Sequence, residues 1–222
     1  MYTELRQPRL RGRPRASDST DTREGILRSA RDVFRELGYE GTTNMKIATH
    51  AGLTRPAINY HFTSKRELFR TVVEANLAIL GRAIGEAAGE RSLRGRLRTL
   101  MISADTDPDV RAATGFLTVA ELDCQRHPEL RADGWDVASA LRDFLSASVA
   151  TALEDGELRA DVDVASVVDA LHAVLSGMAF RVGAVGDHGR RQAQTDALMA
   201  LVSGDLFTST SEDRRDEPAR LG

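Results

Sequence analysis

The chain has 222 residues with 30 Lys/Arg, 33 Asp/Glu and a single cysteine. That length buries a sizeable core as one small and one larger domain, and a lone cysteine excludes an internal disulfide and fits a reducing cytoplasm. Charge is unevenly spread: residues 1–65 carry 12 Lys/Arg against 7 Asp/Glu and the remainder 18 against 26, a net of +5 followed by −8. Cations gathered in one segment of an acidic chain mark that segment for nucleic acid.

Residues 1–20 are poor in apolar side chains and carry Arg6, Arg9, Arg11, Arg13 and Arg15 around two prolines, the composition of a flexible arm. Within it RGRPR resembles the core of an AT-hook, which would lay Arg11, Arg13 and Arg15 into a narrow A·T minor groove; a solubilising leader is the equal alternative. No apolar run follows the arginines, so a signal peptide is not expected.

Ile26, Ala30 and Phe34 then recur on one face of a first helix. The next stretch, TNMKIATHAGLTRPAINYHFTSK from Thr43 to Lys65, reads as two short helices about a glycine turn. Thr43 is placed to cap the first, whose stripe is Ile47, Ala48 and Ala51. Gly52 can adopt the left-handed conformation that ends it. Thr54 caps the second, with Pro56 in the first turn where its missing N–H breaks nothing. Ile58 and Phe62 face inward, while Arg55 and Asn59 share another stripe. Such a helix-turn-helix inserts the N-terminal end of its second helix into the major groove. Arg55 suits the acceptors of guanine and Asn59 the donor–acceptor pair of adenine. Tyr60, His61 and Lys65 have the groups to hold phosphates, which sets register without reading sequence.

From Thr22 to about Ala75 the chain strongly resembles the N-terminal domain of the TetR family of bacterial transcriptional regulators. The resemblance rests on Ile26, Ala30, Phe34, Gly38-Tyr39, Thr43, Ile47-Ala48, Gly52, Tyr60-His61-Phe62, Lys65 and Leu68. It implies backbone anchors at Thr43, Tyr60, His61 and Lys65, with Arg55, Pro56 and Asn59 facing bases. The pattern departs at Asn44, where an apolar residue is common, at Met45, where arginine is frequent, and at Lys46, which replaces an acidic residue and removes a capping box. Asn44 retains the chemistry to touch a phosphate.

The rest reads as helical, giving an all-α fold expected to divide into a basic arm (1–20), a DNA-binding domain (21–66), an effector-binding and dimerisation domain (67–208) and a disordered tail (209–222). A helix over Glu67–Glu90 carries Leu68, Val72, Ala75 and Ile79 on a stripe. Gly81, Gly85 and Gly89 near its end have the spacing of close helix packing or of a soft region, and Arg82 and Glu86 exclude membrane dimerisation there. Further helices are expected over Ser92–Ala104, Asp109–Arg126 and Gly134–Asp155. Phe116, Trp135 and His172 are candidates to line an effector pocket, each with ordinary packing as the alternative. Cys124 fits a small buried hydrophobe.

Helices over Asp163–Val185 and Arg190–Phe207 have apolar faces wider than one neighbour would cover. Val167, Leu171, Val174, Leu175, Met178, Leu198, Leu201 and Val202 are expected to meet a second copy in a four-helix interface, as the corresponding pair does in TetR-like proteins. The expected function is a cytoplasmic homodimeric repressor, released from a palindromic double-stranded DNA operator by an apolar or amphipathic small molecule, with no cofactor and no membrane partner. An enzyme is disfavoured, since there is no Walker loop, HExxH or GxSxG element and too few His and Cys for zinc. A ligand-free architectural protein, or a regulator answering to a protein partner, is the remaining alternative.

Overall fold

The computed structural model of the protein describes residues 16–131, 137–183 and 191–203. The expectations for Arg11, Arg13, Arg15, Trp135, the side chain of Val202 and the tail 209–222 lie outside the described residues. Among those described there are helices and turns and no strand. In chain order the helices are α1 (Ala16–Gly41), α2 (Asn44–His50), α3 (Arg55–His61), α4 (Lys65–Ala88), α5 (Leu93–Thr106), α6 (Pro108–Arg126), α7 (Pro128–Arg131), α8 (Ser139–Glu154), α9 (Val164–Gly183) and α10 (Arg191–Val202).

Local chemistry sets the short helices of the head. The Thr43 hydroxyl accepts the Lys46 N–H to cap α2, and Thr54 does the same for Ala57 at the start of α3. Gly52 between them has φ +65°, the conformation glycine adopts without a Cβ penalty. Ile47, Ile58 and Phe62 are at most 1 % exposed, so α2 and α3 are held by the seam their spacing implies. Downstream, Ser64 caps α4 by accepting the Glu67 N–H, and Asp107 caps α6 ahead of Pro108.

Packing joins head and body more closely than a boundary at 66/67 implies. Phe34 and Tyr39 from α1, Phe69 from α4 and Phe116 from α6 form an aromatic cluster. Phe69 lies edge-on to Phe34, Tyr39 and Phe116, at centroid distances of 5.0, 5.1 and 5.9 Å; such pairs add about 0.5–1.5 kcal/mol each beyond burial. The buried apolar side chains of both regions belong to one cluster. In the body, α6 packs on α1, α4, α5 and α9, and α9 also packs on α8.

Two expectations change. The helix expected from Gly134 begins at Ser139, and its first residue follows Ala138 without a side-chain cap. Gly81 and Gly85 are exposed, and a Cβ on either would meet nothing within 4 Å, so their spacing does not mark close helix approach. The first helix runs to Gly41 through a kink at Gly38, with φ 67° and ψ 176°.

That kink is closed by the Thr42 hydroxyl, which donates to the Gly38 carbonyl at 2.7 Å, and a Cβ at Gly38 would stand 3.4 Å from Asp123 Oδ1. This φ/ψ region is essentially restricted to glycine. Gly38→Ala should therefore lower the urea-unfolding free energy by about 1–3 kcal/mol. A loss within the roughly 0.5 kcal/mol of an ordinary surface change would show that the kink tolerates a side chain.

Candidate nucleic-acid interface and effector cavity

The second helix of the head, α3, presents its polar side outward because Ile58 and Phe62 fix the opposite side in the core. Arg55, Pro56, Asn59 and Tyr60 are exposed, Tyr60 at 83 %. Exposure of so large an aromatic ring is unfavourable unless a partner covers it. Arg55 makes no side-chain hydrogen bond or ion pair among the described residues, so its guanidinium is available. The Arg23 guanidinium lies 5.1 Å above the Phe62 ring and ties the start of α1 to the end of α3.

Asn44 has a different place from the one its sequence position implied. It is half-buried, and its amide nitrogen donates to Asn59 Oδ1 at 3.0 Å. A side chain expected on a phosphate thus braces a side chain expected on a base. Pre-set geometry of this kind reduces the ordering cost of binding. Thr43 remains exposed and His61 half-buried, its ring edge-on to Tyr60 at 5.1 Å.

Lys65 also differs from expectation. Its ammonium donates to the Tyr39 carbonyl at 2.8 Å and sits 4.2 Å from the centre of the Tyr39 ring. A cation against the last carbonyls of a helix is favourable, so Lys65 fastens α4 to the end of α1. An ammonium has three donors, which leaves two for a phosphate. Nearby, the Thr63 hydroxyl and then its amide hydrogen-bond the Glu67 carboxylate and hold it below the usual carboxylate range.

The opposite side of Tyr39 carries a contact that no motif announced. Asp123 of α6, 6 % exposed, accepts the Tyr39 N–H at 2.7 Å. Burial pushes its carboxyl above the ordinary 3.8, and the Tyr39 N–H and the neighbouring His127 offset part of that rise. His127, one turn on, lies 5.4 Å from the Tyr39 ring and 3.2 Å from a Glu129 oxygen. Toward the other end of α6, Asp109 stands 3.7 Å from Arg31 of α1. The available signal was a carboxylate on the same stripe as Phe116, Ala120 and Cys124, which are all buried.

A cavity of about 100 Å³ lies within the body, lined mainly by Leu80, Leu100, Met101, Leu117, Leu141 and Leu175 with Asp105, Glu121 and His172 among them. His172 therefore does face the space expected to hold an effector. Phe116 does not: successive helical residues point about 100° apart, and while Leu117 faces the cavity Phe116 joins the aromatic cluster on α1 and α4.

The two C-terminal helices split their expected dimer face. Leu175 and Met178 point to the cavity instead, because they share a stripe with the buried Val168 and His172. Val167, Leu171 and Leu198 are partly buried against the chain's own core. Val174 and Leu201 are exposed at 40 % and 46 %, as is Phe180 at 43 %. By length and composition alone Val164–Arg181 would span a membrane; here it packs on α6 and α8.

Two family profiles match this chain: "Bacterial regulatory proteins, tetR family" over residues 26–72 and "Tetracyclin repressor-like, C-terminal domain" over 114–198. The HTH-type transcriptional repressor AcnR of Corynebacterium glutamicum is 27 % identical over 195 residues, covering 88 % of this chain and 95 % of that protein. Among solved structures, the regulator PfmR of Thermus thermophilus superposes with a TM-score of 0.65 at 25 % identity, covering 82 % of this chain and 99 % of the other. FadR of Bacillus subtilis, crystallised with stearoyl-CoA, gives 0.64 at 17 % identity over 82 % and 98 %.

The Asp123 contact makes a pH-dependent difference measurable. Asp123→Ala orphans the Tyr39 N–H and should cost about 1–3 kcal/mol; Asp123→Asn keeps an acceptor and should cost less. With its folded pKa raised, the carboxyl stabilises the fold fully below the unfolded value of 3.8, and loses that contribution as pH rises through the raised value. Asp123→Asn removes this decline, so urea unfolding should show the asparagine variant gaining on the parent from acid toward neutral pH. A difference that stays flat across that range would refute the assignment.

Proposed function

This chain belongs to the TetR family of bacterial transcriptional regulators, and on that premise we propose how it acts: as a dimeric repressor that holds a palindromic operator until a small molecule fills the body cavity. The observation that carries this is the conjunction of an outward α3 face, with Arg55 and Asn59 unburied, and a largely apolar cavity in the body.

Each α3 enters a major groove, Arg55 and Asn59 reading base edges and Pro56 allowing close approach. Thr43, Tyr60, His61 and the spare donors of Lys65 hold phosphates. Two copies related by a two-fold axis read half-sites about 34–36 Å apart. The two-fold is formed through Val174 and Leu201, the exposed apolar residues of α9 and α10, with the partly buried Val167, Leu171 and Leu198 at its margin. The site of action is the cytoplasm, where the DNA is.

Two of the long helices that line the cavity, α4 and α6, lead to the kink in α1. Leu80 of α4 and Thr114, Leu117, Thr118 and Glu121 of α6 face the cavity, while Lys65 at the start of α4 and Asp123 near the end of α6 grip Tyr39. An occupant that shifts either helix therefore tilts the head that carries α3. If the occupied form prefers the wrong head spacing, ligand and operator oppose each other, with a reciprocal coupling of about 1–3 kcal/mol.

Sequencing DNA fragments retained by the protein would define the operator. On it, Arg55→Ala should remove roughly 1–3 kcal/mol of preference at one position per half-site, whereas Tyr60→Phe should weaken all duplexes alike. Equal loss of discrimination from both would overturn the division of roles. Independently, Val174→Asp with Leu201→Asp should convert a dimer into a folded monomer by light scattering and abolish operator binding at the same protein concentration. A variant that remains dimeric would place the interface elsewhere.

A further inference from the structure

We infer that the cavity takes a compact organic cation, a protonated amine on a small apolar body; the inference deepens the effector reading above and rests on it. Among its described lining residues are two carboxylates, Asp105 and Glu121, and no Lys or Arg. Glu121 is half-buried and makes no hydrogen bond or ion pair among the described residues. Asp105 accepts the Thr195 hydroxyl at 3.0 Å. The guanidinium nearest in sequence, that of Arg111, donates to the main-chain carbonyls of Ala104 and Asp105 rather than to the carboxylate. Negative charge is thus set into an apolar wall without a paired side-chain cation.

His172 supplies the independent observation. It is 9 % exposed, lines the same cavity, and has no hydrogen-bond partner among the described residues. Its ring nitrogens are not among the sealed, unpartnered polar atoms, so they reach the cavity, where an occupant can complete them. Neutral imidazole has one acceptor nitrogen, which an ammonium N–H satisfies. Placing positive charge beside Glu121 and Asp105 is favourable in a partly dry site, and placing an anion there is opposed.

Volume limits the rest. The space measures about 100 Å³ and is open on one side. It suits a small apolar body, such as a five-membered ring or short branched chain, with its amine toward the carboxylates.

The test is titration calorimetry on the full chain at neutral pH with three probes of one shape: cyclopentylamine, cyclopentanol and cyclopentanecarboxylate. The amine should bind about tenfold or more tighter than the alcohol, with no measurable binding of the carboxylate. Glu121→Gln, which keeps shape and removes charge, should erase most of that advantage. Carboxylate binding as tight as the amine, no binding by any probe, or an amine preference that survives Glu121→Gln would each overturn the inference. The ranking on the unaltered chain stands even if the variant misfolds. Operator affinity measured with the same probes separates the two levels. An amine that binds without loosening DNA leaves the cavity chemistry standing and removes the effector reading. A carboxylate that releases DNA does the reverse.

Discussion

The hydrogen bond from the Tyr39 amide to the buried Asp123 carboxylate sits where the head of this protein meets its body. At Gly38 the first helix breaks direction, and a break leaves main-chain groups without helical partners. Asp123 takes one of them from the α6 side, and the Lys65 ammonium takes the Tyr39 carbonyl from the α4 side. The two residues hold the same peptide neighbourhood with opposite charges, one in each long helix of the body. The orientation of α1, and through it of α2 and α3, follows from that grip and from the aromatic cluster beneath it.

A buried carboxylate is an expensive way to hold a joint, since desolvation opposes its charge. An apolar side chain in its place would avoid that cost but would leave the Tyr39 N–H without an acceptor. What the carboxylate adds is direction: an N–H acceptor at one position is satisfied by one arrangement of the kink, whereas an apolar contact tolerates several. For a regulator that must present α3 to DNA in one orientation, a joint with a defined geometry is worth some stability.

The head was legible in the sequence because its signals are local. Thr43, Gly52, Thr54 and Pro56 each act within four residues through capping, a positive φ or a missing N–H, and two of them, Thr43 and Gly52, also carry the family resemblance. The body was legible as helices but not as contacts. Phe116 and Leu117 are adjacent in sequence and face different neighbours, and no pattern tells which of two apolar stripes meets a cavity and which a core. Leu175 and Met178, which line the cavity, carry the same ambiguity, since an apolar face wide enough for a second copy is equally the face that lines an interior space. The acceptors of Lys65 and Asn44, the Tyr39 carbonyl and the Asn59 side-chain oxygen, were not legible because they lie 26 and 15 residues away. Long-range partners leave no trace in composition or periodicity.

Thr195 is 2 % exposed and its hydroxyl is committed to Asp105. The same Asp105 lines the cavity, and a carboxylate has lone pairs beyond the one that the hydroxyl uses. One acid thus seats α10 on α5 while still facing the interior space, so the seating of the last helix and the contents of the cavity meet at a single side chain.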